Sequence, residues 1–271
     1  MVKIVYLAAW AAYVVASARY ALGFLRNWPG PPVWGYPWLM AGVVVHGVAT
    51  VWYTLRFGHP PLVGFAASLA TLALVVALAL WLLTVLRAAG AAGLLLAPVA
   101  AFLLGLALLL DLSPASDAPI YRGAWLASHV LLSFIGYGGL VVAAAASFMY
   151  LVQFRQLKEK RFGAAFQFFP DLDTLDRISG LALLAGFTAL TLGLLVGLAW
   201  TFSFAAGPRW NMPQVLWGSW TWLVFVAALT ARMAWRWVGR RRAWLNLVGF
   251  GAVLVAYLVL KWNAPEARFF L

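Results

Sequence analysis

The chain has 271 residues, 65% of them hydrophobic and only 10% charged, against roughly 25% charged residues in a soluble domain, and its mean hydropathy of +0.93 leaves too little polar surface for a water-exposed globule. A net charge of +12 would suggest a nucleic-acid partner in a soluble protein; in a membrane protein, basic residues gather on loops facing anionic lipid, so membrane lipid and no nucleic acid is expected. There is no cysteine, which excludes disulfides, thiolate metal sites and thioether-linked cofactors.

A spanning helix needs about 20 mostly apolar residues. In chain order, apolar runs between breakers predict spans over about 4–24, 37–55, 62–86, 91–110, 124–152, 178–204, 215–237 and 243–262. The first follows a single charge, Lys3, and has no small-residue cleavage site, so it reads as a retained span rather than a removed signal. The turn from Asn27 to Pro32 closes it. Arg56, Arg87 and Asp111 close the next three. The pattern predicts an all-α polytopic membrane bundle of about eight helices, one transmembrane domain over 1–271. The polar segment 153–177 reads as an amphipathic connector with Phe162, Phe166, Phe168 and Phe169 in the membrane interface, or as a docking surface for a soluble partner.

The Lys/Arg distribution sets the expected orientation. With the N-terminus outside, thirteen basic residues fall inside and six outside, which together account for all 19. Segment 153–177 and the run Arg240-Arg241-Arg242 decide this, and both termini are expected on the outer face of the cell membrane. All seven acidic residues fall in predicted loops or tails. Ion pumps keep an intramembrane carboxylate, so a carboxylate-based transporter is disfavoured, and no inverted repeat supports another kind of transporter.

Of the sixteen tryptophans, Trp28, Trp34, Trp38, Trp125, Trp235, Trp237 and Trp262 lie near span ends, where an interfacial belt accounts for them. Trp210, Trp217, Trp220 and Trp222 crowd within thirteen residues near the outer face and suit either a belt or a platform for a flat ligand.

The three histidines are the only plausible metal ligands. His46 falls mid-span in the second helix, where an ionisable residue is a functional hypothesis by default or a neutral imidazole bonded to a neighbouring helix. His59, between Gly58 and Pro60-Pro61, is a turn residue or a ligand. His129 lies about a turn inside the outer end of the fifth span, as a cap or a ligand. His46 and His59 are 13 residues apart, about 20 Å along a helix, too far for one iron unless the helix breaks early. His59 and His129 share the predicted outer face. Haem takes one or two axial ligands, often His, in an apolar pocket, whereas zinc takes three or four protein ligands. The set therefore fits non-covalent haem b better than zinc, with His129 and His59 as iron ligands and His46 as a further candidate.

Four stretches carry a family resemblance. They are Leu55-Arg56-Phe57-Gly58-His59-Pro60-Pro61-Leu62; the run from His129 to Tyr137; Phe169-Pro170-Asp171-Leu172-Asp173-Thr174-Leu175-Asp176-Arg177-Ile178-Ser179, the most specific; and the helix from Trp217 to Phe225. In this order, over about residues 38 to 260, they resemble the cytochrome c assembly protein family, in its haem-handling CcsA/HemX-like branch. The resemblance implies haem binding, with His129 carried over as an external haem histidine. The family's tryptophan-rich haem loop is degenerate here: Pro213 and Trp217 match, but its Asp, Lys and Glu are missing. Thr230 stands where the synthase branch has a histidine, and the tail from Trp262 to Leu271 has none. These departures imply an accessory or haem-delivery component of cytochrome c biogenesis rather than a complete synthase. The alternative that the resemblance allows is a HemX-like adaptor, acting at the cytoplasmic face on a haem-synthesis enzyme. Other cytochrome c assembly proteins are the remaining expected partners.

Overall fold

The computed structural model describes residues 2–26, 34–62, 64–86, 90–110, 112, 124–160, 163–204, 213–234 and 239–263. Among these the backbone forms α1 (Val2–Leu25), α2 (Tyr36–Phe57), α3 (Phe65–Val85), a 3-10 turn (Gly90–Ala92), α4 (Gly93–Leu109), α5 (Ala124–Lys158), α6 (Ala164–Phe168), α7 (Leu172–Phe204), α8 (Pro213–Met233) and α9 (Arg240–Asn263). All but the short α6, with α4 taken together with the 3-10 turn before it, are long and apolar enough to cross a membrane. The protein is a multi-pass all-α membrane bundle. A spanning helix satisfies its own backbone polar groups, which lipid cannot do for it.

Consecutive spans alternate in direction. The loop after α2, the starts of α5 and α8 and the two ends of the described chain therefore share one side, called here the His59 end. The segment between α5 and α7 lies on the opposite side, the connector end.

Two apolar cores result. The first joins α1–α4 to the connector-end halves of α5 and α7. Its axis is α1, whose Tyr6, Tyr13 and Tyr20 recur every seven residues and are fully buried. The Tyr13 and Tyr20 rings each meet a partner without bulk. A Cβ on Gly42 would come within 2.5 Å of the Tyr13 ring, and Gly35 and Gly93 both lie against the Tyr20 ring. The second core joins α5, α7, α8 and α9, with Leu62 from the loop after α2.

The most extensive contact is the antiparallel pair α5–α7. Between lipid-bathed helices the attraction is van der Waals packing, and small residues permit it. A Cβ on Gly139 would lie 2.7 Å from the Ala182 carbonyl oxygen and 2.8 Å from Gly186 Cα; one on Gly136 would lie 2.8 Å from Leu190 Cβ.

Polar clamps tie the connector-end half together. Asn246 Nδ2 donates to Ser147 Oγ (2.9 Å) and Ser179 Oγ (2.8 Å), joining α9, α5 and α7. Asp176 Oδ2 accepts Arg232 Nη2 and Arg242 Nη2, each at 2.9 Å. Asp173 and Asp176 were expected in a loop but lie in the opening turns of α7. They extend the helix because Asp171 caps it: Asp171 Oδ1 accepts the Thr174 N–H at 2.8 Å and Oδ2 the Thr174 hydroxyl at 2.9 Å. The segment 153–177 is likewise not one connector. Residues 153–158 continue α5, α6 follows, and 172–177 open α7. Phe169 is buried in the first core rather than lying in the interface, and Phe168 meets Phe24 of α1 edge-on at 5.2 Å. Phe166 is half-buried, and Phe162 lies outside the described residues.

Two outcomes follow. Gly139→Ala drives a methyl into backbone atoms that cannot yield and should destabilise the detergent-solubilised protein by about 1–3 kcal/mol, read as a lowered midpoint of thermal unfolding. The Thr174 backbone N–H, then its hydroxyl, holds the Asp171 carboxyl below the usual carboxylate range. Its stabilising effect is therefore complete above the ordinary carboxylate pKa of about 3.9 and is lost as pH falls through the lower folded value. Asp171→Ala should remove about 1 kcal/mol at neutral pH, and the deficit relative to wild type should shrink in strong acid when melting is followed by circular dichroism.

Candidate functional site

At the His59 end, α2 stops at Gly58. Its φ of +76° is left-handed, and its N–H bonds Thr54 O at 2.8 Å. Glycine adopts that conformation without penalty, and the turn delivers His59 into Pro60-Pro61, where a helix cannot continue. Leu62 N–H donates to Pro60 O (2.8 Å), and Thr71 Oγ1 of α3 donates to Pro61 O (2.6 Å), pinning the loop onto α3. His59 is buried, 8% exposed. Its Nδ1 lies 3.1 Å from Pro60 O. A carbonyl only accepts, so Nδ1 carries the proton and the lone pair of the neutral ring is on Nε2. Tyr53 meets the ring edge-on at 5.8 Å.

His129 lies in the second turn of α5 and is half-buried. Its Nδ1 is 2.6 Å from the Gly193 carbonyl oxygen of α7. By the same reasoning Nδ1–H donates and Nε2 holds the lone pair. The ring sits against Gly197, where a Cβ would come within 2.6 Å of Nδ1 and 2.7 Å of Cε1. Val130, the next residue, belongs to the same core cluster as Leu62 and Trp217. Helix α5 and the His59 loop thus meet one apolar core, and both histidines carry their lone pair on Nε2.

The tryptophans do not form one platform. Trp217 is buried, its ring 4.4 Å from Tyr137 and 5.4 Å from Tyr257, and its Nε1 donates to Val253 O at 3.2 Å. Trp222 is half-buried and donates to Thr191 Oγ1 at 3.0 Å. Trp220 is 43% exposed, on the outward side of α8. Trp210 lies outside the described residues.

His46 belongs elsewhere. It is fully buried in the first core, its Nδ1 is 3.2 Å from Tyr13 Oη, and the Tyr6 ring meets it edge-on at 5.4 Å. The interhelix partner considered from the sequence is therefore Tyr13. Its Nε2 has no hydrogen-bond partner among the described residues. The His46 ring is packed against those of Tyr6 and Tyr13. Among the described residues no three His, Asp or Glu side chains gather as a metal cluster. Haem asks for less: one or two imidazoles and an apolar wall, and the His59 end has both. The partners Gly193, Gly197 and Thr71 were not singled out from the sequence. The small-residue spacing of α7 (Gly186, Gly193, Gly197) was the available signal, since glycine on a spanning helix marks a close neighbour.

Residues 59–265 match the cytochrome C assembly protein family model. The chain belongs to the cytochrome c assembly protein family. The match begins at His59 itself, later than the residue-38 start drawn from motifs, so α1 and α2 precede it. The chain is similar to proteins named cytochrome c biogenesis protein CcsA. It is 31% identical to that of Guillardia theta over 186 residues, 61% of this chain and 62% of the relative. It is 33% identical to that of Synechococcus elongatus over 182 residues, covering 52% and 56%, and 35% identical to that of Chlamydomonas reinhardtii over 144 residues, covering 52% and 38%. It thus spans between about two fifths and three fifths of the length of these relatives. Family membership and the eight apolar helices agree on a membrane protein of this assembly family.

Gly58→Ala forces an alanine into the left-handed region at about 1–2 kcal/mol. It should lower the thermal midpoint and, by displacing the loop, increase the access of His59 to diethyl pyrocarbonate, read by peptide mass spectrometry.

Proposed function

We propose that the protein binds haem b non-covalently at the His59 end and handles it in cytochrome c biogenesis, as a binding or delivery component. The observation that carries this reading is the His129 imidazole. Its Nδ1–H is committed to a helix carbonyl at 2.6 Å, which leaves the lone pair of the neutral ring on Nε2, and the next residue, Val130, belongs to the apolar cluster containing Leu62 and Trp217. His129 would ligate the iron, with His59 as the second ligand. Trp217, held by Tyr137, Tyr257 and the Val253 carbonyl, would form part of the apolar wall that excludes water, with Trp222 behind it. When bound, haem supplies a redox-active iron and a flat apolar face; the chain's part is to orient it and keep water from it.

The excess of Arg and Lys at the connector end, where Arg232, Arg240, Arg241 and Arg242 lie, supports a cytoplasmic connector end. The His59 end and both termini would then be on the outer face of the cell membrane. There a delivery protein meets other cytochrome c assembly proteins, the partners this reading implies.

The test is the absorption spectrum of detergent-purified protein, oxidised and reduced, before and after adding haem. A sharp Soret band with resolved reduced bands is expected. His129→Ala should weaken haem binding at least tenfold, and His59→Ala should change the reduced bands with a smaller loss of affinity; His46→Ala should leave the spectrum as in wild type. An unchanged spectrum in His129→Ala would overturn the ligand assignment. No uptake by wild type would overturn the function.

A further inference from the structure

Every α-helical carbonyl already accepts the N–H four residues on, and an imidazole that needs a second bond to that oxygen must get past the side chain standing beside it. Cβ atoms tilt toward the helix N-terminus, so the side chain of residue 197 would lean over the turn that carries the Gly193 carbonyl. At 197 there is none. The imidazole of His129 occupies that notch, with Nδ1 2.6 Å from Gly193 O. A Cβ on Gly197 would fall 2.6 Å from Nδ1, closer than real Cβ contacts come. Gly193 serves from the other side. A Cβ there would press at 3.2 Å on Ser133 Oγ and at 3.3 Å on the His129 carbonyl oxygen, so its absence lets α5 settle close enough for the ring to reach. Ser133 Oγ itself donates to His129 O at 2.8 Å, holding the same turn of α5.

We infer that Gly193 and Gly197 of α7 are positioning residues for His129. The notch at Gly197 opens the Gly193 carbonyl to the imidazole, which fixes the Nδ1–H tautomer and puts the lone pair of the neutral ring on Nε2. The inference rests on the haem reading for its use, but the tautomer is a property of the protein without haem. A carbonyl accepting from Nδ1–H makes the opposite nitrogen more basic, and such outer partners are worth about 10–100-fold in metal affinity. A more basic axial imidazole also favours ferric over ferrous iron, so the same hydrogen bond holds the reduction potential down.

Two measurements test this on the full chain in detergent. The first uses haem-free protein with 15N-labelled histidine, the His129 signals being assigned by their loss in His129→Asn. Nitrogen shifts of the Nδ1–H tautomer are expected for His129 in wild type, and a changed tautomer population in Gly197→Ala. An Nε2–H tautomer in wild type, or an unchanged signal in the variant, would overturn the inference whether or not haem binds. The second adds haem. Gly197→Ala should bind it about 10–100-fold more weakly and with a more positive midpoint potential than wild type. Gly139→Ala, which disturbs the same helix pair two turns or more away from His129, should keep the wild-type potential. Equal changes in both variants would mean that general loosening of α5 from α7 is responsible, and would overturn the positioning role. If wild type takes up no haem while the tautomer result holds, the haem reading fails and the positioning of His129 stands.

Discussion

The close approach of α5 and α7 is the constraint on which the rest of the structure depends. Lipid tails are as apolar as leucine, so no hydrophobic effect presses these helices together. Contact at van der Waals distance must do so, and at Gly136, Gly139 and Gly186 it is made by backbone against backbone. Farther toward the His59 end the same lack of side chains acts on a different atom. At Gly193 and Gly197 it leaves a carbonyl within reach of an imidazole. One device, glycine on facing helix surfaces, therefore both assembles the bundle and places His129.

Polar groups are sorted along the bundle axis. Toward the connector end lie the buried Asn246–Ser147–Ser179 contact and the carboxylate of Asp176 shared by two guanidinium groups. Two of the polar anchors there are fixed by ion pairs or local capping: Asp176 by Arg232 and Arg242, Asp171 by Thr174. At the His59 end the Nδ1 atoms of His59 and His129 and the Nε1 atoms of Trp217 and Trp222 are taken up by carbonyls and a hydroxyl: Pro60 O, Gly193 O, Val253 O and Thr191 Oγ1. Neutral hydrogen bonds of this kind leave an apolar wall intact, whereas charged clamps would bring water with them.

The architecture was legible because apolar length is a one-dimensional quantity: eight runs long enough to span can be counted without knowing what they touch. The histidines were legible by scarcity, there being three in 271 residues. What they touch was not. His129 and Gly193 are 64 positions apart, and no local pattern pairs them. The extra turns of α5 and α7 were hidden for a different reason. Residues 153–158 and 172–177 are polar enough to read as loop, yet a helix leaving the hydrocarbon needs only a cap and a few ion pairs to continue, and Asp171 with Thr174 supplies the cap. The tryptophan cluster was misleading in a way that periodicity could have corrected. At 100° per residue, Trp220 and Trp222 point 200° apart around α8, so closeness in sequence could not have made them one surface.

His46 shows why depth in the membrane is not enough to mark a ligand. It has the ionisable side chain and the mid-span position that ordinarily suggest function, but it is packed into α1 by two tyrosine rings and bonded to one of them. Neither helix of that hairpin falls within the stretch shared with the family, which starts at His59. The shared part of the chain thus opens on the loop that bears one candidate ligand and contains the helix that bears the other. The α1–α2 hairpin packs beside it through tyrosines seated on glycines, a contact set by shape. Placing a metal on His46 would require opening that contact. At His129 the Gly197 notch and the Gly193 carbonyl hold the Nδ1 side of the ring. The His129 ring is held by a helix carbonyl, whereas the His46 ring is held by packing against Tyr6 and Tyr13.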